Sequence, residues 1–254
     1  MEPALMSPLR KEDGMLDRPY YRVWRPGISA QYCMDWKYAG DFHDLCHQYA
    51  GLENRLRTML DRIGSYEESR YVEGKAVYAL LREGRYELDY NLSRILKANG
   101  YCGTERQYRW SDYVKLEPLM RLSEYKVYLP SCSGRGTPLI PFENWKSGPS
   151  VWYSGKYPLF FPDKKTCADA RLDKAIDLLA GLYIVLFAQF GENLSEALRP
   201  RSKKVGEGYF TACSIFHTEP PQFEPEEQYD FDWSELKKKK DRFRSFFSDA
   251  KKTQ

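Results

Sequence analysis

The chain has 254 residues, 42% of them hydrophobic and 30% charged, with a formal net charge of +3. These are ordinary globular values with length enough for a sizeable core, as one large domain or two modest ones. The charge is too mild to announce a nucleic-acid-binding protein, which usually carries a strongly basic patch. Aromatic residues reach 15%, with 20 Tyr and 6 Trp, and such side chains supply contact area to cores and interfaces alike. The six cysteines (Cys33, Cys46, Cys102, Cys132, Cys167 and Cys213) show no C-x-x-C spacing. They read as reduced, mostly buried thiols. The first residues hold no apolar h-region, so no signal peptide and an intracellular location are expected.

Residues 1–27 contain Pro3, Pro8, Pro19 and Pro26 with mixed charge, which predicts an extended N-terminal arm. Its aromatic end, Tyr20, Tyr21, Val23 and Trp24, offers a means of docking. A single globular domain is expected over 28–216. Its most regular stretch runs from about 41 to 63. Phe42, Leu45, Tyr49, Leu52, Leu56, Met59 and Ile63 follow one another in steps of three and four, an unbroken heptad seam. Asp41 is placed to begin this helix and Gly64 to end it. The seam faces either the core of its own domain or a second subunit, and it stops at Arg70, so any coiled coil is short. A second helix is expected over 66–83 and a third over about 86–98, interrupted at Gly84 and closed by Asn99-Gly100. Short connections suggest an antiparallel bundle.

Residues 101–165 change to a loop-and-hairpin insert rich in Tyr, Trp, Pro and Gly. It is expected to carry a short helix at 116–122, a strand at 125–129 and a hairpin over 151–161. Tyr101, Tyr108, Trp110 and Tyr113 either stack on bases or clamp the insert to the helices, and the clamp is preferred. Thr166 and Asp169 resemble a capping box that opens an apolar helix, about 167–190, closed by Gly191. Its apolar run of 11 residues after Asp177, Leu178 to Ala188, falls short of the roughly 20 a membrane span needs. A buried core helix is therefore expected, with the heptad helix packed on it. A strand is expected at 209–216. Residues 217–232 form an acidic, proline-containing linker, and Asp232 caps a basic amphipathic C-terminal helix within 233–254.

Three groups are candidates for chemistry. His43 and His47 stand one helical turn apart and could share a metal, with Asp44 in the place of the Glu of H-E-x-x-H. Asp44 is a methylene too short for that role, and two surface histidines are the plainer reading. The loop Ser131–Thr137, with Cys132 and Arg135, exposes glycine backbone to an anion but lacks the spacing of a P-loop. Arg199, Arg201, Lys203 and Lys204, with Lys237, Lys238, Lys239, Lys240, Arg242 and Arg244, form basic material suited to nucleic acid, an anionic membrane surface or an acidic partner.

Taken together, these features predict a mainly α fold with minor β. A helical core surrounds the apolar helix and the heptad helix, and extended termini reach outward. The function expected is that of a non-enzymatic structural or assembly protein, a self-associating subunit of a larger complex of capsid or nucleoprotein kind, with no cofactor and no membrane span. The alternative is an enzyme whose dispersed site uses His43, His47, Cys132 and Arg135 as a metal-dependent or cysteine-based hydrolase.

Overall fold

The computed structural model describes residues 16–63, 71–103, 108–129, 137–149, 170–198 and 214–252. Its helices are α1 (Trp36–Ala39), α2 (Phe42–Ile63), α3 (Lys75–Ala98), α4 (Trp110–Tyr113), α5 (Glu117–Met120), α6 (Leu172–Phe190), α7 (Glu192–Leu198), α8 (Trp233–Leu236) and α9 (Phe246–Lys252). Two strands, β1 (Lys126–Tyr128) and β2 (His217–Glu219), pair antiparallel with Val127 opposite Thr218. The fold is mainly α with minor β.

The core is built on α6. Every residue from Leu178 to Phe190 is buried, as an all-round apolar helix must be. α3 makes the most extensive contact with it, and α2 packs on both. No helix among the described residues is long and apolar enough to cross a membrane. α6 begins at Leu172 after Arg171, and the proposed cap at Thr166 lies outside the described residues. It ends at Gly191, whose φ of +55° glycine tolerates and whose added Cβ would stand 2.3 Å from the Trp24 indole.

Gly84 corrects the expected division into two helices, because α3 runs through it without a break. A Cβ at Gly84 would meet Leu178 and Leu179 at 3.2 and 3.3 Å. The missing side chain lets α3 and α6 approach closely, and tertiary packing overrides glycine's low helix propensity.

Phe42, Leu45, Tyr49, Leu52 and Leu56 are buried within the chain, and Met59 is partly buried against the same core. These seam side chains face the domain's own interior.

The segments expected to reach outward fold back where they are described. Leu16, Tyr20, Val23 and Trp24 are buried. Leu16 N donates to the Gln228 carbonyl at 3.2 Å, and Arg244 N donates to the Pro19 carbonyl at 2.8 Å. Tyr229, buried in the acidic segment, donates its hydroxyl to the Val23 carbonyl at 3.0 Å and accepts from Tyr20 N at 3.1 Å. Asn99 ties both ends to α3. Its side-chain amide donates to the Tyr21 carbonyl at 2.8 Å, and its carbonyl accepts from Phe247 N at 2.9 Å.

The C-terminal helix is also corrected. Residues 237–245 form a turn between α8 and α9. The backbone of Arg244 pairs with Pro19 and Tyr21, so it cannot continue a helical ladder. Four consecutive lysines also set like charges three residues apart, which disfavours a helix there. The strand expected at 209–216 starts later, at His217, with 209–213 outside the described residues. The hairpin expected at 151–161 also lies outside them.

A buried polar network locks the entry of the chain onto α6. Arg22 sits in the left-handed region at φ 58°, strain on the order of 1 kcal/mol. Its guanidinium donates to Gln189 Oε1 at 3.1 Å and to the Asp41 carboxylate. Gln189 donates in turn to Asn91 Oδ1 at 3.2 Å and to the Val185 carbonyl at 3.0 Å. Burial pulls the Arg22 guanidinium below its ordinary pKa, and the Asp41 charge opposes that fall.

Candidate functional site

The residues singled out in the sequence are scattered. His43 and His47 are exposed on α2, and His217 is exposed on β2. Among the described residues no group of three His, Cys, Asp or Glu side chains is placed to hold a metal. Cys132, Arg135, Arg199, Arg201, Lys203 and Lys204 lie outside the described residues. Cys33 and Cys46 are buried, and burial pushes both thiols up to about 12. A thiol held protonated in this way is a poor nucleophile.

The basic run divides. Lys237, Lys238, Lys239 and Lys240 are exposed on the α8–α9 turn. Arg242 and Arg244 turn inward to Asp35 and Asp249, each pair at 3.0 Å. Two aromatic residues of the insert pack inward, and the Tyr113 hydroxyl lies 3.1 Å from the Ser93 hydroxyl of α3. Tyr113 is buried, Trp110 Nε1 donates to the Trp145 carbonyl at 2.9 Å, and Trp110 and Trp145 meet edge-to-face at 5.8 Å.

The most developed surface feature lies between α2 and α3. Arg55 pairs with Glu83 near one end, and Asp41 pairs with Arg94 at 3.1 Å near the other. The helices are therefore antiparallel, and a cavity of about 560 Å³ opens between these two crosslinks. α2 lines it with Gln48, Gly51, Leu52 and Arg55, and α3 with Arg82, Glu83, Tyr86 and Glu87.

Local sequence explains the opening. Gln48, Gly51 and Arg55 are spaced three and four apart, so they share a face beside the seam. Gly51 leaves that face bare, since a Cβ built there meets nothing within 4 Å. On α3, Arg82, Tyr86, Tyr90 and Arg94 recur every four residues, a spacing that stacks side chains along one stripe. Tyr86 is 68% exposed and Tyr90 37%. Their rings stack with centroids 6.5 Å apart, and the Arg94 guanidinium lies 5.5 Å over Tyr90. The regular spacing of that stripe was readable in the sequence, but the seam on α2 is the stronger pattern and masks it. The bare patch over Gly51 had no sequence signal, because a helical glycine does not reveal whether its face is covered.

Electrostatics in the groove are mixed. Arg55 holds the Glu83 carboxyl below its ordinary range by a direct hydrogen bond. Glu87 is shifted upward, first by burial and then by the neighbouring Glu83 charge. The Arg55–Glu83 pair is about two-fifths exposed on each side, so its contribution to stability is at the small end for ion pairs. Such a groove offers exposed tyrosine, paired arginines and carboxylates and an uncovered backbone, a composition suited to contact with another protein surface.

Neither a protein-family model, nor a curated protein, nor a solved structure matches the chain.

Proposed function

We propose that the protein is a non-enzymatic assembly subunit that associates with a second copy of itself through the α2–α3 groove. The observation that carries this reading is the exposed ring of Tyr86 beside the open space over Gly51. A two-fold interface brings one patch against itself, so the patch must carry both knob and hole. Here Tyr86 supplies the knob and Gly51 the hole. Both signs of charge are also present, with Arg55 and Arg82 already against Glu83, and Glu87 beside them, so an antiparallel encounter can set these mixed charges opposite one another. Tyrosine and arginine are the residue types enriched among interface hot spots. The heptad seam is occupied inside the domain, so this neighbouring stripe of the same helix is the better candidate for self-association.

Light scattering on a sizing column, over a range of concentrations, tests the proposal. The wild-type mass should rise to twice 29.9 kDa. Tyr86→Ala removes the knob and Gly51→Arg fills the hole, and each should return the mass to that of the monomer. Gly51 lies in open space within α2, so Gly51→Arg should raise intrinsic helix stability by up to about 1 kcal/mol. Loss of the dimer in that variant therefore cannot be assigned to unfolding. A wild-type chain that stays at 29.9 kDa at every concentration, or a dimer that persists in both variants, overturns the proposal.

A further inference from the structure

A second surface lies where the α8–α9 turn meets α1, and the Arg242 guanidinium holds the two together. Its Nε and Nη2 donate to the two Asp35 carboxylate oxygens, both at 3.1 Å, and its Nη1 donates to the Lys239 carbonyl at 3.3 Å. One side chain thus joins the lysine turn to a residue more than 200 positions earlier. Asp35 is fixed from the other side, since it caps α1 by accepting from Lys37 N at 2.8 Å. Beneath this joint, Trp233 packs on Phe243 at 5.9 Å and on Tyr32 at 6.4 Å. Two flanking residues of Asp35 point outward instead. Trp36 is 73% exposed and Met34 46%. The Lys37 ammonium lies 5.7 Å over the Trp36 ring.

We infer that Trp36, Met34 and the turn Lys237–Lys240 form a docking site for an anionic lipid membrane surface, on which the protein sits without crossing. The charge is of one prevailing sign. Lys237, Lys239 and Lys240 make no ion pair among the described residues, and Lys238 pairs with the exposed Glu235 at 2.7 Å and is also drawn to the exposed Asp232 carboxylate. Lysines on flexible stems are strongly attracted to anionic headgroups. Tryptophan prefers the headgroup level, where its apolar ring is sheltered and its N–H stays wet. A large apolar ring and a methionine standing in water beside a lysine run are therefore matched by one environment that supplies both negative charge and an apolar layer.

Nucleic acid fits these observations less well. The arginines of the run, which would fork onto phosphates, are engaged with Asp35 and Asp249. A single tryptophan also lacks the succession of stacking platforms that a single strand uses.

The test is flotation of the full-length protein with phosphatidylcholine vesicles, with and without phosphatidylserine, at several salt concentrations. The expected result is binding that requires phosphatidylserine and weakens as salt rises. Replacing Lys237, Lys238, Lys239 and Lys240 together by Gln should weaken partitioning by about a hundredfold or more, at roughly fivefold for each lysine. Bromine-labelled lipid should quench tryptophan fluorescence in the wild type, and Trp36→Phe should remove most of that quenching. These side chains are exposed and outside the core, so far-ultraviolet dichroism should be unchanged in both variants. Three results overturn the inference: no binding to phosphatidylserine vesicles, equal binding by the four-lysine variant, or quenching that persists in Trp36→Phe. Binding to a labelled single-stranded oligonucleotide in the absence of vesicle binding, lost in the four-lysine variant, assigns the same surface to nucleic acid and also overturns it.

Discussion

Asp177 offers a direct test of the packing around α6. It stands at the start of the apolar run, one turn after Asp173, which is itself engaged with Arg171. Burial, reinforced by the Asp173 charge, raises its carboxyl from 3.8 to about 7. The folded-state value lies above the unfolded one. Its favourable contribution is therefore fully present below about pH 4 and is lost as pH rises through about 7. A rise of that size corresponds to about 4 kcal/mol, or about 1.4 kcal/mol for each pH unit in between. Asp177→Asn keeps the shape and removes the charge. Urea unfolding of parent and variant from about pH 4 to about pH 8 reads the difference directly. The amide has its own burial cost, which sets a constant offset, so the informative quantity is the slope. The variant should gain on the parent by about 4 kcal/mol across that range, levelling off above neutrality. A gap that stays flat with pH would refute the desolvation assigned to this half-buried carboxyl.

Two further substitutions and labels probe other parts of the core. Gly84→Val places two γ-carbons where a Cβ alone already stands 3.2 Å from Leu178, so it should destabilise by about 1–3 kcal/mol through overpacking, measured as a fall in the urea midpoint. If the midpoint holds or rises, α3 and α6 are not in the close contact described. Among the three described cysteines, exposed Cys102 should alkylate in the native protein, whereas Cys33 and Cys46, buried and pushed up to about 12, should react only on unfolding. Peptide mass mapping after a brief maleimide pulse checks this, and prompt native labelling of Cys33 would contradict its burial.

Local patterns announced the elements whose environment is one-sided. The three-and-four spacing from Phe42 to Met59 located α2, because a stripe of apolar residues on a helix needs only an interior to face. The run from Leu178 to Ala188 located α6 for the same reason, carried all the way round the helix. Patterns failed where a partner distant in sequence decides the conformation. Gly84 reads as a break on propensity, yet α3 continues because Leu178 and Leu179 occupy the space a side chain would need. The spacing of Trp233, Leu236, Phe243 and Phe247 suits a helix, yet the backbone of Arg244 is claimed by Pro19 and Tyr21. The prolines of the first 27 residues correctly signal extended backbone, but nothing near them says that Tyr20 will lie between residues 229 and 244. Gln189 and Asn91 gave no warning of their meeting with Arg22, since a polar residue in an apolar helix shows its partner only after folding.

The candidate surfaces divide in the same way. The four-residue repeat of Arg82, Tyr86, Tyr90 and Arg94 is a local signal, and it marks one wall of the groove. The opposite wall depends on what fails to cover Gly51, which is a property of the whole fold. The lysine turn was visible as charge, but its joining to Trp36 was not, because it passes through the Arg242–Asp35 pair across the length of the chain. Asp35 and Asp41 occupy the two ends of the short α1–α2 corner. The first anchors Arg242 and so sets the lysine and tryptophan surface, while the second receives Arg22 and Arg94 and so crosslinks the end of the groove. The arm, the C-terminal turn and α3 thus each contact one of two carboxylates six residues apart. The segments that look most like loose tails in the sequence are, where described, the ones that fix the relation between these surfaces.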